Sequence, residues 1–457
     1  MTQQTVFDDL TSLLGQRATR SKSDLEHHGR SETHFPPMPP DAVVYPESTA
    51  EVSEILRICS AHGVPVVGYG AGTSLEGQAQ APHGGICVDF RLMNRVLQIK
   101  PEDMDVVVQP GITREALNTE LRATGLFFPV DPGANASIGG MASTRASGTT
   151  AVRYGTMRDN VLGLEVVLAD GRIIRTGTRA RKTAAGYDLT GLFVGSEGTL
   201  GLITELTLRL QGQPEATAAA ICGFADMSEA VSAVIDTIQM GLPMARIEFI
   251  DAASVAAVNA WSGTDIPLTP HLMVEFHGSD TGVREQAETF GEIVADHGGT
   301  GFDWATRPED RAALWAMRHN AYYAIKASRP GSVALVTDIC VPISRLAEAV
   351  TQTQADIAAS PIEGPILGHV GDGNFHAILL YDDRNPAEVA AAHDLSHRMV
   401  TRALALGGTA TGEHGVGLGK LDYMQAEHGA AWDVMQTLKM ALDPANIMNP
   451  GKMLRQD

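Results

Sequence analysis

Two short segments hold the residues best suited to chemistry. The first is GHVGDGNFHAILL, Gly368–Leu380, in which His369 and His376 flank a run of turn-forming residues. Reading Gly371–Asn374 as a four-residue turn between two strands sets Val370 opposite Phe375 and His369 opposite His376. Residues directly opposed on antiparallel strands share one sheet face, with Cβ atoms about 4.5–5.5 Å apart. Two imidazoles at that separation can hold one divalent ion. The second segment is TGEHGVGLGK, Thr411–Lys420, which offers the carboxylate of Glu413 beside a further histidine, His414. Its glycines free the backbone to bring polar side chains close to a ligand. Two imidazoles with a carboxylate suit Zn²⁺, Mn²⁺ or Fe²⁺. The run GVGLGK imitates a phosphate-binding loop, but Leu421 stands where that motif requires Ser or Thr.

Three glycine-rich segments precede residue 211. In VVGYGAGTSLEG, Val66–Gly77, the alternating Gly68, Gly70 and Gly72 surround Ala71 and lead into Thr73 and Ser74. Alternating glycines let successive N–H groups turn into one concavity that binds anionic oxygens. A tight turn after a buried strand would read the same way. The second, Val130–Asn160, is built of small residues from Gly133 to Thr150, which admit close approach of a flat ligand. The third, Tyr187–Thr204, interleaves glycines with apolar residues. Together they suit a large, extended cofactor better than a mononucleotide.

The elements that must position these residues follow from periodicity and punctuation. Glu51–His62 carries apolar residues at helical spacing and stops at Gly63. Val64–Tyr69 reads as a strand feeding the first glycine loop. Arg95–Lys100 and Asp105–Gln109 read as a strand pair, and Thr113–Gly125 as a helix with a Thr cap and a Gly stop. Leu162–Leu168 and Arg172–Thr176 flank Asp170-Gly171, a strong hairpin signal. Leu202–Leu210 alternates like a strand. Beyond Gln211 the texture changes to alternating helices and strands, among them Ser228–Met240, Ile247–Ile250, Met273–Phe276 and Ile343–Ala359. The final stretch, Leu421–Leu442, reads as one helix. An α+β fold with more than one domain follows.

The chain has 457 residues and a net charge of −20. Such acidity argues against nucleic acid as a partner, because phosphate binding needs clustered Lys and Arg. A small anionic substrate therefore needs a local positive site. No apolar run in the sequence is long enough for an integral membrane segment. The four cysteines form no CxxC motif and read as reduced thiols.

The motifs ASGTTAVRYGTMRDNVLGLEVVLADGR and GLFVGSEGTLGLIT, with the first glycine loop, resemble the vanillyl-alcohol oxidase-type flavoproteins. Within that group the chain most resembles the FAD-linked D-2-hydroxy acid dehydrogenases, D-lactate dehydrogenase above all. The resemblance runs from about Asp41 to Leu454. It implies a two-subdomain PCMH-type FAD-binding domain over residues 1–211 (core about 38–211). A ferredoxin-like α+β substrate or cap domain would follow over 212–410, and a C-terminal segment, 411–457, would complete the active site. It further implies that Gly68, Gly70, Ala71, Gly72, Thr73 and Ser74 cradle the FAD pyrophosphate. Pro132, Gly133, Ser137, Gly140, Thr144 and Gly148 would line the isoalloxazine and ribityl side, and Glu197, Gly198 and Ile203 the adenine side. No His or Cys lies within Gly68–Gly77, so FAD is expected to be non-covalent.

The same resemblance makes His369, His376 and Glu413 ligands of zinc or manganese. His414 becomes the base, Arg318 the substrate-carboxylate arginine, and Asn374 a further substrate contact. The reaction implied is hydride transfer from a D-2-hydroxy acid to flavin, giving the 2-keto acid. In 2-hydroxyglutarate enzymes a lysine precedes the strand Asp. Here ALVTDICVP has Val336 and Thr337 before Asp338, which favours a short or apolar acid such as D-lactate. No haem, iron–sulfur or nicotinamide motif is present, so an external acceptor is expected: cytochrome c, an electron-transfer flavoprotein or a quinone. A homodimer is compatible with these features. The expected location is cytoplasmic, with at most peripheral contact with the inner membrane. The alternatives are a glycolate oxidase flavin subunit, D-2-hydroxyglutarate dehydrogenase, another flavoenzyme class, or a non-catalytic flavin-binding module.

Overall fold

The computed structural model describes residues 3–180 and 182–455. The chain divides into two compact units. The first takes in the chain through Ser147, then Gly155–Gln213, and then everything from Glu413 onward; the second combines Gly148–Tyr154 with Pro214–Gly412.

The first unit is built mainly on two sheets, with a short strand pair, Leu126–Phe127 with Gln211–Gly212, beside them. In one, Ala42–Val44, Ile86–Asp89 and Val66–Tyr69 run parallel, with Ala18–Thr19 added at the edge. Parallel strands need a crossover, and the helix Thr49–His62 provides the one from Ala42–Val44 to Val66–Tyr69, the two strands that flank Ile86–Asp89. Its apolar stripe, Val52, Ile55, Leu56 and Cys59, is buried. The Ser48 hydroxyl caps its start, and Gly63 ends it at φ +63°. The second sheet is antiparallel, in the order Val96–Lys100, Asp105–Val108, Leu202–Arg209, Val161–Val167, Ile173–Gly177. The Asp-Gly hairpin forms as its sequence demands, with Val167 paired to Ile173. Leu164, Val166, Leu206, Leu208 and Phe193 fill the core against it.

The C-terminal stretch is not one helix. A 3-10 turn, Leu421–Tyr423, a short helix, Met424–His428, and a longer one, Ala430–Leu442, are separated at Gly429. Gly429 has φ +54° and ψ −131°, a conformation closed to residues with a Cβ.

In the second unit, Ala216–Gly223, Met244–Ile250, His271–Gly278 and Thr300–Ala305 form an antiparallel sheet. In chain order its arrangement is fourth, first, third, second. With helices Met227–Gln239 and Asp280–Asp296 in the first and last connections, this is the ferredoxin-like arrangement. The sheet does not stop at Met244–Ile250. Ile366–His369, Asn374–Tyr381 and Val333–Val336 extend it, and Ile339–Cys340 pairs alongside. That extension carries the histidine hairpin. The helix Pro308–Ser328 buries Leu314, Trp315, Ala321 and Ile325 in the core of this unit. Gly148–Tyr154 is held here by the Tyr154 hydroxyl, 2.7 Å from His277 Nδ1, and by Arg153, which donates to the Pro243 carbonyl.

Candidate active site

The hairpin register decides where the two histidines point. The strands are Ile366–His369 and Asn374–Tyr381, so the turn is Val370–Gly373, one residue earlier than the sequence suggests. His369 is paired with Asn374, and His376 with Leu367. The histidines are therefore diagonal rather than directly opposed. The slip is two residues in pairing, which preserves face because side chains alternate with period two. Gly373, at φ +79°, takes the left-handed position of this turn. The rings still meet, with centroids 5.5 Å apart and nearly perpendicular planes, and their coordinating nitrogens lie within 4.8 Å of each other.

The partners of the two rings fix their tautomers. His369 Nδ1 is 2.7 Å from Glu248 Oε1, and His376 Nδ1 is 2.9 Å from the Thr337 carbonyl oxygen. A carboxylate and a carbonyl only accept, so both Nδ1 atoms carry hydrogen. In each neutral imidazole the lone pair is then on Nε2. Metal-binding histidines in general have this outer hydrogen bond, which sets ring orientation and raises ligand basicity. The donor set therefore fits a divalent ion.

Around this pair the second unit is densely polar. Asn374 donates from Nδ2 to Asp338 Oδ1 at 2.7 Å and to the Ile339 carbonyl at 2.8 Å. Both partners are acceptors, so the amide orientation is fixed. Asn374 Oδ1 is left buried without a hydrogen-bond partner, an open acceptor. Asp338 is fully buried and also accepts from the Thr411 hydroxyl at 2.6 Å. This pins the start of the TGEH loop to the hairpin, and Gly412 packs against the Asn374 amide. Glu413 and His414 follow directly in the chain.

Arg318 is not a surface charge of its helix. Its side chain is 11% exposed, and Nε and Nη2 both bond Glu248 Oε2, at 2.9 and 2.6 Å. One edge of the guanidinium is thus occupied by Glu248. Burial alone would push the Glu248 carboxyl up. The neighbouring His369 and Arg318 outweigh it and hold the group below its usual range. Sequence reading did not find Glu248, 121 residues from His369.

In the first unit, the glycine loops converge. A Cβ on Gly70 would lie 2.1 Å from Ser137 Oγ, and one on Gly140 would lie 2.9 Å from the same atom. Gly68 faces the Leu202 side chain, beside Ile203. Ala71 is exposed, and Gly72, Thr73 and Ser74 are half-buried. Two hydroxyls, Ser74 Oγ and Ser137 Oγ, are buried without a hydrogen-bond partner. Orphaned donors beside a cradle with no room for a Cβ fit the oxygens of a phosphate-bearing cofactor. Thr144 instead bonds the Gly140 carbonyl of its own helix. Pro132 is half-buried and Gly133 exposed, whereas Gly148 belongs to the second unit.

Glu197 is buried and its backbone is left-handed. It adopts φ +54°, with Gly198 at +71°, and its buried carboxylate accepts the Val416 and Gly417 N–H groups at 2.7 and 2.9 Å. Burial raises its pKa, and those backbone donors work in the opposite direction. Gln78 adds a bond from Nε2 to the His414 carbonyl at 2.7 Å, and Ser147 donates to Glu413 Oε2 at 2.8 Å. Glu197 and Gln78 thus hold the backbone of the loop that follows Gly412, leaving the Glu413 and His414 side chains to be oriented separately.

This arrangement coincides with a family. The model described as "FAD linked oxidases, C-terminal domain" matches residues 213–453, and "FAD binding domain" matches residues 40–177. The chain belongs to the FAD-linked oxidase family. A probable mitochondrial D-lactate dehydrogenase of Danio rerio is 52% identical over 433 residues, 94% of this chain and 87% of the relative. A mitochondrial D-lactate dehydrogenase [cytochrome] of Arabidopsis thaliana is 45% identical, over 98% of this chain and 80% of the relative. In fold the chain resembles p-cresol methylhydroxylase, with a TM-score of 0.78 at 16% identity, covering 99% of this chain and 97% of that one. The resemblance read from the sequence is borne out, as is the mixed α+β PCMH-type fold.

The expected cytoplasmic location does not stand. The relatives from Danio rerio, Arabidopsis thaliana, Saccharomyces cerevisiae and Kluyveromyces lactis are all described as mitochondrial. The cysteines had suggested only reducing surroundings, which do not single out a compartment. Among the described residues no helix is long and apolar enough to cross a membrane.

Proposed function

We propose that this chain is an FAD- and divalent-metal-dependent dehydrogenase that oxidises D-lactate, or a similarly short D-2-hydroxy acid, to the 2-keto acid. The observation that carries the reading is the pair of histidines with both Nδ1 atoms committed to acceptors, in a chain up to 52% identical to D-lactate dehydrogenases. Gly68–Ser74, Ser137 and Gly140 hold FAD without a covalent link. His369, His376 and Glu413 hold zinc or manganese. When bound, FAD supplies the two-electron acceptor and the metal the Lewis acidity that lowers the hydroxyl pKa.

The chain's own residues do the rest. Arg318 binds the substrate carboxylate through the guanidinium edge that Glu248 leaves open. Asn374, whose Oδ1 is an open acceptor, is a further contact of the substrate, and the hydroxyl hydrogen itself is directed at His414. His414 takes the hydroxyl proton as general base. Thr337 and Val336 supply no cation for a second carboxylate, so a short acid is preferred. Electrons leave to an external acceptor of the cytochrome type, in keeping with the relatives described as D-lactate dehydrogenase [cytochrome].

A second reading, oxidation of glycolate, has one specific support: a glycolate oxidase subunit of Bacillus subtilis is 37% identical over 92% of this chain. Steady-state rates with cytochrome c, comparing D-lactate, L-lactate and glycolate, test both. A higher kcat/KM for D-lactate supports the first reading, and preference for glycolate replaces it with the second. Metal analysis of the purified protein tests the ion, and absence of stoichiometric zinc or manganese would count against it.

A further inference from the structure

We infer that Glu248 is a positioning residue that couples metal binding to substrate binding, by orienting a metal-ligand histidine with one oxygen and the substrate arginine with the other. The inference rests on the proposed roles of His369 and Arg318. It assigns the joint between them to a residue that neither sequence motif contains.

Glu248 belongs to the strand Met244–Ile250, at the edge where the histidine hairpin joins the ferredoxin-like sheet. Phe249 pairs with Gly368, so the next step of the same register brings Glu248 opposite His369. Its side chain is fully buried. Oε1 accepts from His369 Nδ1 at 2.7 Å, while Oε2 takes both Nε and Nη2 of Arg318. The two oxygens are thus divided between two functional side chains, one on a strand and one on a helix.

Stability alone does not account for such a cluster. A buried ionic group costs desolvation energy, and well-packed apolar replacements are often neutral or stabilising. What the carboxylate does provide is direction. With Nδ1–H bound to Oε1, His369 is held in the tautomer that presents Nε2. With Oε2 gripping one edge, the Arg318 guanidinium is held in one plane, its other edge open. A glutamine cannot replace this. It has one acceptor oxygen, and its amide would turn a donor toward either His369 Nδ1–H or the Arg318 donors. Outer-shell partners of metal-binding histidines are typically worth about 10–100-fold in metal affinity.

The test uses the full-length, FAD-replete protein stripped of metal with a chelator. Zn²⁺ and, separately, Mn²⁺ are titrated calorimetrically into wild type, Glu248→Gln and Arg318→Lys, and KM and kcat for D-lactate are then measured after reloading. Glu248→Gln is expected to weaken metal binding about 10–100-fold and to raise KM in the same variant, with flavin content unchanged. Arg318→Lys is expected to raise KM with metal affinity near wild type, separating the two arms. If Glu248→Gln does not fold, Glu248→Asp keeps the charge but is too short to span both partners, and the same two readouts apply. Metal affinity and KM both at wild-type values in a Glu248 variant overturn the inference while leaving the metal site intact. A wild-type protein that takes up neither ion overturns the metal site itself, a distinguishable outcome.

Discussion

Gly412 offers a sharp test of how tightly the site is assembled. Its Cα faces the Asn374 side chain so closely that an added Cβ would lie 2.2 Å from Asn374 Nδ2 and 3.1 Å from Asp338 Oδ1. Ordinary contact requires about 3.5 Å, so Gly412→Ala must open a gap of roughly 1 Å. Asn374 cannot yield cheaply, because its amide is bonded at 2.7 and 2.8 Å to Asp338 and the Ile339 carbonyl. Gly412 is not among the residues with positive φ, so alanine brings no backbone strain, only the clash. The loop must move, carrying Glu413 and His414 with it. A misplacement of about 1 Å can cost about a hundredfold in rate, or about 2.7 kcal/mol of transition-state stabilisation at roughly 1.36 kcal/mol per tenfold. The assay is kcat/KM for D-lactate with cytochrome c, alongside the flavin-to-protein absorbance ratio. Gly212→Ala, at a site with nothing within 4 Å, is the control and should retain wild-type activity. An FAD-replete Gly412→Ala enzyme within about threefold of wild type, well short of that hundredfold, would refute the reasoning.

Three further outcomes are expected. Gly70→Val would drive a side chain into Ser137 and should give protein with much less bound flavin, read from its visible absorbance; normal flavin content would remove Gly70 from the cofactor cradle. Lys439 donates to the Thr199 and Met448 carbonyls and to the fully buried Asp443. Lys439→Met removes the counter-charge of that carboxylate, leaving it only the Ile447 and Met448 N–H donors, and should cost about 3–5 kcal/mol in denaturant unfolding, whereas a loss below about 1 kcal/mol, no more than an exposed pair is worth, would contradict it. Glu275 is buried, which pushes its carboxyl up, but its bond from His277 and the charge of Arg246 prevail and lower it. A depressed carboxyl contributes stability above its ordinary value of 4.5 and loses it as pH falls through the folded value. Glu275→Gln should therefore flatten the acid side of the stability–pH curve, and parallel curves for the two proteins would count against this.

Local signals carried much of the molecule. The Asp170-Gly171 hairpin, the apolar stripe of the helix through Glu51–His62 and its stop at Gly63 were all legible, because each depends on neighbours a few residues away. The shared face of His369 and His376 was legible for the same reason, since parity survives a register slip of two. The register itself was not, because it depends on which residue takes the left-handed turn position, and Gly371 and Gly373 compete for it. The break at Gly429 was hidden because a lone glycine is tolerated within helical patterns. Glu248 was invisible for a different reason: nothing in RIEFID marks a carboxylate that will meet a histidine 121 residues later across a sheet edge. Glu197 lay within a recognisable motif, but only the fold shows its carboxylate clamping the backbone at Val416 and Gly417.

The most direct measurement is anaerobic bleaching of the bound flavin, followed near 450 nm, an approximate value for oxidised flavin. D-lactate, L-lactate and glycolate would be added in turn to native, chelator-stripped and metal-reloaded protein. The account predicts fast bleaching by D-lactate in the native protein, its loss on stripping, and its return with zinc or manganese. Equal bleaching with and without metal would contradict the proposed metal site. Absence of bleaching by every acid in a flavin-replete protein would contradict hydroxy acid oxidation itself.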